Sequence, residues 1–269
     1  MKPAPFDYWR AESLAEAHAA LAAEGGDAAV IAGGQSLVPL LSMRMARPRL
    51  VVDIMHVAGL SGIAVEDNAI RVGAAVRQAE LLAWPELAAR QPLLAQALPW
   101  VGHWQTRSRG TVCGSIALAD PSAELPLCLA ALGGSVILSS RFGRRSVAAK
   151  DFFTGLMSTA RRDDELIEAV SFPCRHAGAG YAFGEFARRH GDFAIVACSA
   201  VATKTSVRLA VGGVADRPVI CELDDAGNAL DAFASGLDAR DDLHATADYR
   251  RMLVRKLGAQ TLAEAKCRV

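Results

Sequence analysis

Two short stretches of small residues, each carrying a hydroxyl group, constrain the fold of this chain more than any other feature. The first is Ala32–Leu37, AGGQSL, and the second is Thr111–Ser115, TVCGS. Both lie at the mouth of an apolar segment, where small side chains let the backbone approach a ligand and point several N–H groups in one direction. In the first stretch, Ser36 predicts the N-cap of a short helix that runs from Leu37 to Arg44.

The two stretches together indicate a binding site more strongly than either one alone. A helix start below two glycines is an anion site that suits a phosphate group, although Gly-Gly before a helix is more often an ordinary turn. Here the two loops lie about 75 residues apart in the sequence. Their combination favours a clamp that holds a diphosphate from both sides.

Composition excludes several classes of protein. The chain has 269 residues, of which 52% are hydrophobic, yet no apolar run reaches the ~18 residues that a membrane helix needs. The first residues show no secretory signal, so we expect a soluble, cytoplasmic protein without a membrane span. Lys plus Arg equals Asp plus Glu at 29 each, which argues against a nucleic-acid partner.

The residues that usually carry chemistry do not form a recognisable site. Six cysteines occur without any C-x-x-C spacing, so we expect most of them to be buried free thiols and neither zinc nor iron–sulfur clusters. The six histidines show no metal-binding spacing, and no hydrolase nucleophile motif is present. The sequence therefore predicts no catalytic residue and no metal site, and any chemistry should come from a bound cofactor.

The distribution of apolar residues predicts a mixed α+β fold. No G-x-G-x-x-G motif follows a strand, which excludes a dinucleotide-binding Rossmann domain. Residues 12–24 are expected to form a helix that ends at two glycines, and residues 63–66 and 69–73 a hairpin around Asp67-Asn68. Residues 86–98 are expected to form one helix, residues 115–119 a strand and residues 264–269 a polar tail. A break rich in Gly, Ala and His at 174–180 marks a domain boundary, after which three strands and two helices are expected.

Several motifs together resemble a known family. They are the opening Lys2–Tyr8, the loop Ala32–Leu37, the longer stretch Thr106–Ser115, the pair Asp120–Pro121 and the segment Ala187–Ala194. In this order they resemble the FAD-binding medium subunit of molybdenum hydroxylases, which include carbon monoxide dehydrogenase and the flavin domain of xanthine dehydrogenase. The resemblance covers essentially the whole chain.

The resemblance implies a fold and a domain organisation. The fold is the FAD-binding fold of the vanillyl-alcohol-oxidase (PCMH) type, within residues 1–176 and in two subdomains of about 1–56 and 57–176. A smaller C-terminal α+β domain of antiparallel strands and helices follows at 177–269.

The resemblance also implies a set of cofactor-binding residues. The two small-residue loops hold the FAD diphosphate, largely through backbone N–H groups, and Glu124 lies where the family keeps an acidic residue near the adenosine. Leu166 or Ile167 falls at an apolar contact near the flavin ring, with the Gly191–Phe193 turn on the isoalloxazine side. The full set is Ala32, Gly33, Gly34, Gln35, Ser36, Leu37, Thr111, Val112, Cys113, Gly114, Ser115, Asp120, Glu124 and Leu166.

One position departs from the family pattern. Where the family usually has Gly-Gly in the second loop, this chain has Cys113-Gly114. A Cβ at residue 113 makes left-handed backbone conformations costly by about 1 kcal/mol or more. We therefore expect either an ordinary conformation at Cys113 or a slightly displaced loop, and contact with the cofactor through the backbone of Cys113 only.

The function implied by the resemblance is electron relay in a heterotrimer. A large subunit with a molybdenum cofactor hydroxylates the substrate, a small subunit with two [2Fe–2S] clusters carries the electrons, and FAD in this chain passes them to an external acceptor. An (αβγ)2 assembly is expected. The substrate and the acceptor remain open. Two alternatives also remain: a stand-alone FAD oxidoreductase of the same fold and a flavin-free scaffold subunit.

Overall fold

A computed structural model describes residues 1–223 and 228–269 of the chain. It contains helices and strands in mixed order. The strands are β1 Asp7–Arg10, β2 Ala28–Ile31, β3 Leu50–Asp53, β4 Ile63–Glu66, β5 Ala69–Gly73, β6 Ser135–Ser140, β7 Gly143–Ala148, β8 Phe153–Gly155, β9 Ser158–Thr159, β10 Leu166–Pro173, β11 Gly180–Phe186, β12 Val196–Ala202, β13 Val207–Gly212 and β14 Val219–Leu223. The helices are α1 Leu14–Glu24, α2 Leu37–Ser42, α3 Gln78–Ala83, α4 Leu87–Arg90, α5 Pro92–Ala97, α6 Trp104–Arg107, α7 Val112–Leu118, α8 Glu124–Leu132, α9 Ala149–Phe152, α10 Asn228–Gly236 and α11 Ala247–Lys266.

The first sheet is small and parallel, in the order β1-β3-β2. Parallel strands need crossover connections, and these are supplied by α1 between β1 and β2 and by α2 between β2 and β3. Ser13 caps α1 by accepting a hydrogen bond from the Glu16 N–H at 3.2 Å. Strand β2 runs directly into Ala32, so the first small-residue loop lies at the carboxyl end of a parallel strand, where ligands of α/β sheets commonly bind.

The second sheet is antiparallel, in the order β4-β5-β10-β6-β7. As the sequence predicts, β4 and β5 form a hairpin around Asp67 and Asn68. Both turn residues have positive φ, at 49° and 58°, which is the geometry that Asp and Asn tolerate in two-residue hairpin turns. Helices α3 to α8 all lie between β5 and β6 in the chain. Their apolar residues form the main core together with this sheet.

The third sheet is an antiparallel meander, β11-β12-β13-β14. The 20-residue helix α11 packs against β11 and β12. Helix α8 packs against β12 and β13, and also against β10 of the second sheet. Residues 124–131 of α8 are all buried. The main core therefore continues across α8 into the third sheet, where Tyr181 and Phe183 belong to it.

Residues 115–118 belong to helix α7, so the predicted strand at 115–119 is wrong. Thr111 Oγ1 accepts from the Gly114 N–H at 3.1 Å, and this cap begins α7. Ala119 ends the helix in the left-handed conformation, with φ of 53°. A run of small and apolar residues does not by itself distinguish a buried helix from a strand, and here the cap decides it.

Three predicted helix boundaries also differ from those in the structure. The helix expected at 86–98 is two helices, because Gln91 leaves the helical conformation and its side chain accepts from the Leu93 N–H at 3.2 Å. Helix α2 ends at Ser42 rather than at Arg44, and the Ser36 side chain does not cap it. The expected tail at 264–269 instead continues α11 as far as Lys266.

The search for membrane spans covered the described ranges, 1–223 and 228–269. In these ranges no helix combines the length and the apolar character needed to cross a bilayer.

Candidate functional site

A cavity of about 580 Å³ opens where the first and second sheets meet. This size lies within the range of small-molecule and cofactor sites. Its walls come from β2, the two small-residue loops, the first residue of α8 and the start of β10. The lining residues include Ala32, Gly33, Gly34, Gln35, Ser36, Leu37, Leu40, Gln78, Gly102, Thr106, Gly110, Thr111, Cys113, Gly114, Ser115, Glu124, Arg161, Glu165, Leu166, Ile167, Gly191, Asp192 and Phe193.

The two loops predicted from the sequence pack directly against each other. Gly33 lies so close to the Arg109 carbonyl that a Cβ on Gly33 would overlap it. The same Cβ would lie 2.7 Å from the Gly110 Cα, well inside van der Waals contact. Glycine at residue 33 is therefore required for the loops to meet.

The first loop presents several backbone donors. Gly34 has φ of +72°, and its carbonyl accepts from the Val38 N–H at 3.0 Å. The Gln35 side chain folds back and donates to the Gly33 carbonyl at 3.2 Å. In the described part of the chain, the N–H groups of Gly34, Gln35 and Ser36 donate to no protein acceptor. Consecutive donors of this kind form an anion-binding concavity.

The conformation of the second loop explains why Cys113 can replace the glycine that the family usually has. Its φ is not positive, so the expectation of an ordinary conformation is confirmed. The thiol points into the core, where it donates to the Val72 carbonyl at 3.5 Å, and burial raises the pKa of Cys113 to about 12. Glycine is instead needed at residue 114, where a Cβ would lie 2.7 Å from the Thr111 Oγ1 that caps α7.

Gln78 brings a buried amide to the cavity wall. Its backbone N–H donates to the Gly110 carbonyl at 2.8 Å, and its side-chain nitrogen lies 3.5 Å from the Thr111 carbonyl. Within residues 1–223 and 228–269, its Oε1 is buried without a hydrogen-bond partner. An orphaned buried acceptor costs about 1–3 kcal/mol. A ligand that offers a hydrogen-bond donor at this point would remove that cost.

Glu124 brings a carboxylate to the same cavity. It is the first residue of α8 and is 5% exposed. Burial raises the pKa of Glu124 to about 7, with a further rise from the nearby Asp120 carboxylate and an opposing effect from Arg107. A buried carboxylate facing a cavity can accept hydrogen bonds from two neighbouring hydroxyl groups of a ligand.

The far end of the cavity combines charged and apolar groups. Glu165 is held by the guanidinium of Arg145, whose Nη2 donates to Oε2 at 2.7 Å, and this hydrogen bond lowers the pKa of Glu165. Arg161 donates to the Glu165 carbonyl at 2.9 Å. Phe193, in the turn after β11, is 65% exposed at the rim of the cavity.

Comparison with known proteins identifies the family. The model of the FAD binding domain in molybdopterin dehydrogenase matches residues 4–175. The chain belongs to this family. The resemblance drawn from the sequence motifs is thereby confirmed.

Relatives of this FAD-binding chain are similar over nearly its whole length. The 6-hydroxypseudooxynicotine dehydrogenase complex subunit alpha of Paenarthrobacter nicotinovorans is 39% identical, over 98% of this chain and 96% of the relative. The carbon monoxide dehydrogenase medium chain of Afipia carboxidovorans is 34% identical over 92% of this chain and 87% of the relative.

Solved structures agree with this result. A chain of quinoline 2-oxidoreductase from Pseudomonas putida 86 matches with a TM-score of 0.91 and 33% identity, over 98% of each chain. A chain of carbon monoxide dehydrogenase from Hydrogenophaga pseudoflava matches with a TM-score of 0.94 and 31% identity, over 100% of this chain and 99% of that one.

The cavity fits FAD, the cofactor of the family, on three observations. Gly33 lets the first loop pack on the Arg109–Gly110 backbone, so both small-residue loops line one cavity. Free N–H groups from the first loop suit a diphosphate. The orphaned Gln78 Oε1 and the cavity-facing Glu124 carboxylate supply acceptors for hydroxyl groups. One cavity therefore offers groups that can bind both the diphosphate and the ribose of the cofactor.

Most of the predicted cofactor-binding residues come together in this cavity. Ala32, Gly33, Gly34, Gln35, Ser36, Leu37, Thr111, Cys113, Gly114, Ser115, Glu124 and Leu166 line it. Val112 and Asp120 are not on its wall. The Val112 side chain is fully buried in the core, and Asp120 Oδ1 accepts from the Ser122 N–H at 2.8 Å in the turn before α8.

Sequence reasoning missed some lining residues. Thr106 and Gly110 lay inside a quoted motif but were not singled out. Gln78 and Arg161 carried no local signal, because each reaches the cavity from an element that only tertiary packing brings there.

Proposed function

We propose that this chain is the FAD-carrying medium subunit of a heterotrimeric molybdenum hydroxylase. In this role it receives electrons from the [2Fe–2S] clusters of a partner subunit and passes them to an external acceptor. The observation that carries the proposal is the direct packing of Gly33 against the Arg109–Gly110 backbone. It joins two small-residue loops into one cradle with free backbone donors.

Each wall of the cavity has a role in holding the cofactor. The N–H groups of Gly34 to Ser36 and of Cys113 donate to the diphosphate, whereas those of Val112 and Gly114 already donate within the protein. Glu124 accepts from the ribose hydroxyl groups, and Gln78 Oε1 accepts one further donor. Leu166 provides an apolar contact near the flavin ring. FAD supplies the ability to take up and release electrons singly or in pairs, and the chain's own residues bind and orient it.

The partners of this chain are a large subunit with a molybdenum cofactor and a small iron–sulfur subunit, assembled as (αβγ)2. The names of the relatives as complex subunits and medium chains support this assignment. Substrate oxidation then belongs to the large subunit, which selects the substrate. The six free cysteines, at 113, 128, 174, 198, 221 and 267, agree with assembly in the reducing cytoplasm.

The domain organisation follows the three larger sheets. The parallel sheet lies within residues 1–56, the second sheet within 57–176, and the antiparallel meander within 177–269. The first two units form the PCMH-type FAD-binding domain, with the cofactor cavity between them. The family match at residues 4–175 supports the outer limit of that domain.

Two measurements test this function. The purified chain should show the absorption bands of oxidised flavin, and the native complex should contain molybdenum and iron in fixed ratio to flavin. Flavin without either metal would support a stand-alone FAD oxidoreductase instead. A native protein without flavin would support a scaffold subunit.

A further inference from the structure

A single cationic side chain lines the cofactor cavity within residues 1–223 and 228–269. It belongs to Arg161, in the segment between β9 and β10. The other charged side chains on the cavity wall are the carboxylates of Glu124, Glu165 and Asp192. Arg161 stands in one of several arginine pairs of the sequence, and nothing in the local pattern distinguishes it. Its place in the fold therefore decides what it can do.

Two backbone carbonyl groups fix the guanidinium of Arg161. Its Nη1 donates to the Arg162 carbonyl at 2.8 Å and to the Glu165 carbonyl at 2.9 Å. In the part of the chain that the structure describes, its Nε and Nη2 donate to no protein acceptor. The side chain is half-buried. The N–H groups on these two nitrogens are therefore free for a ligand in the cavity.

The chain does not neutralise the positive charge of Arg161. Among the described residues, Arg161 forms no ion pair with a carboxylate. The carboxylate of Glu165 is engaged by Arg145, which donates to both of its oxygens. Asp163 and Asp164 do not line the cavity. The charge of Arg161 is therefore available to a negatively charged group of the cofactor.

Arg161 lies beside the residue that we propose to contact the flavin ring. Its hydrogen bond to the Glu165 carbonyl places the guanidinium against the peptide group that joins Glu165 to Leu166. Glu165, Leu166 and Ile167 all line the cavity. A flavin ring held at Leu166 would therefore lie within reach of the free N–H groups of Arg161.

We propose that Arg161 donates hydrogen bonds to the flavin ring of the bound cofactor and stabilises the reduced form of that ring. This proposal rests on the proposed function. Uptake of two electrons and one proton at N5 leaves the flavin with a negative charge shared by N1 and the C2 carbonyl oxygen. A guanidinium offers this edge of the ring parallel donors and an opposite charge. Charge near N1 is one of the means by which a protein tunes a flavin.

Reduction of the flavin in the purified full chain tests this assignment. Arg161→Gln removes the charge and should lower the ratio of reduced to oxidised flavin at a fixed electrode potential by about tenfold or more, because a contacting opposite charge shifts such equilibria by this factor. A tenfold change corresponds to about 30 mV for a two-electron couple. Arg161→Lys keeps the charge and should recover most of the ratio. Both variants should bind as much FAD per chain as the wild type.

Arg162→Gln is the matched control. It removes the same charge from the next residue, whose side chain is exposed and does not line the cavity. Because solvent and salt screen an exposed charge, the ratio should change by less than about twofold. Infrared difference spectra with FAD isotope-labelled at C2 give a second measurement. The C2 carbonyl stretch should move to higher frequency in Arg161→Gln, where a hydrogen bond is lost, and should stay unchanged in the control.

Several results would overturn the assignment. They are an unchanged ratio or an unchanged C2 carbonyl stretch in Arg161→Gln, and an equal fall of the ratio in Arg162→Gln. Loss of FAD from Arg161→Gln, with an unchanged ratio in any flavin that remains, would assign the arginine to the diphosphate instead. A wild-type chain without flavin, or a native complex without molybdenum and iron, would refute the proposed function itself. The two failures are thus distinguishable.

Discussion

At the scale of single residues, the second loop shows why one position tolerates a side chain and its neighbour does not. Cys113 turns its thiol into the core toward Val72 and leaves its backbone at the cavity. Gly114 has no such freedom, because the hydroxyl of Thr111 occupies the space that a Cβ would need. The loop therefore tolerates a side chain at residue 113 but requires glycine at residue 114.

The two positions should respond differently to substitution. Cys113→Gly should leave the ratio of FAD to protein unchanged, since only the backbone faces the cofactor. Gly114→Ala should lower FAD content and destabilise the chain by about 1 kcal/mol, because it disrupts the cap of α7. Flavin absorbance and thermal unfolding measure both effects. A large loss of FAD in Cys113→Gly would refute backbone-only contact.

Glu185 on β11 has a buried carboxyl group. Both of its oxygens lack a hydrogen bond in the described structure, and burial, with the nearby Glu124 charge, raises its pKa to about 8. The unfolded chain releases this proton near the ordinary value of 4.5, whereas the folded chain keeps it. The free energy of unfolding therefore falls as pH rises from about 4.5 to about 8.

Glu185→Gln should remove this pH-dependent penalty. The variant should gain on the order of 1–3 kcal/mol relative to the wild type at pH 8, and its relative stability should decline toward pH 4.5. Denaturant unfolding at several pH values measures the trend. Glu12→Gln, at an exposed site, is the control. A gain that does not change with pH would contradict the assignment.

At the scale of elements, strand β2 and the loop that follows it form the organising unit of the site. The parallel sheet places the carboxyl end of β2 at the cavity, and α2 carries the chain away again. Because Gly33 abuts the Arg109–Gly110 backbone, the two loops form one structure. A side chain on the first loop would therefore displace the second.

Gly33→Val with Gly34→Val should give a folded chain without flavin. The added side chains would separate the loops, and residue 34 would have to leave its positive φ. Circular dichroism should report retained secondary structure while flavin absorbance is lost. Gly62→Val is the matched control, because a Cβ at residue 62 meets no atom within 4 Å. Stoichiometric FAD in the double variant would refute the clamp.

At the scale of the whole molecule, the three larger sheets pack around two hydrophobic clusters in the described part of the chain. Helix α8 is covered by the second sheet on one side and by the third on the other. Tyr181 and Phe183 of the third sheet belong to the main core. The chain break at 174–180 thus separates sheets, while the apolar packing continues across it.

Truncation after residue 176 should therefore cost far more than the loss of a separate domain. It would expose the apolar face of α8 that packs on β12 and β13, so residues 1–176 alone should aggregate or unfold at a clearly lower temperature than the full chain. Calorimetry of both forms measures this. An unchanged melting temperature in the truncated form would show that the first 176 residues are self-sufficient.

The sequence alone determined the features that depend on neighbouring residues. The hairpin at Asp67-Asn68, the end of α1 before Gly25 and three of the four strands after residue 180 follow from local turn and alternation signals. The fourth strand, β14, was not predicted. The small-residue loops were recognisable because glycine and hydroxyl residues at helix starts carry their own conformational signature. The family could be recognised for the same reason.

The tertiary structure decided everything that depends on distant segments. It kept Val112 and Asp120 off the cavity wall and brought Gln78 to it. The contact of Gly33 with Arg109 joins residues far apart in the chain, and no local sequence pattern predicts it. The close packing of whole elements brings these two loops together, because only the folded core fixes where they meet.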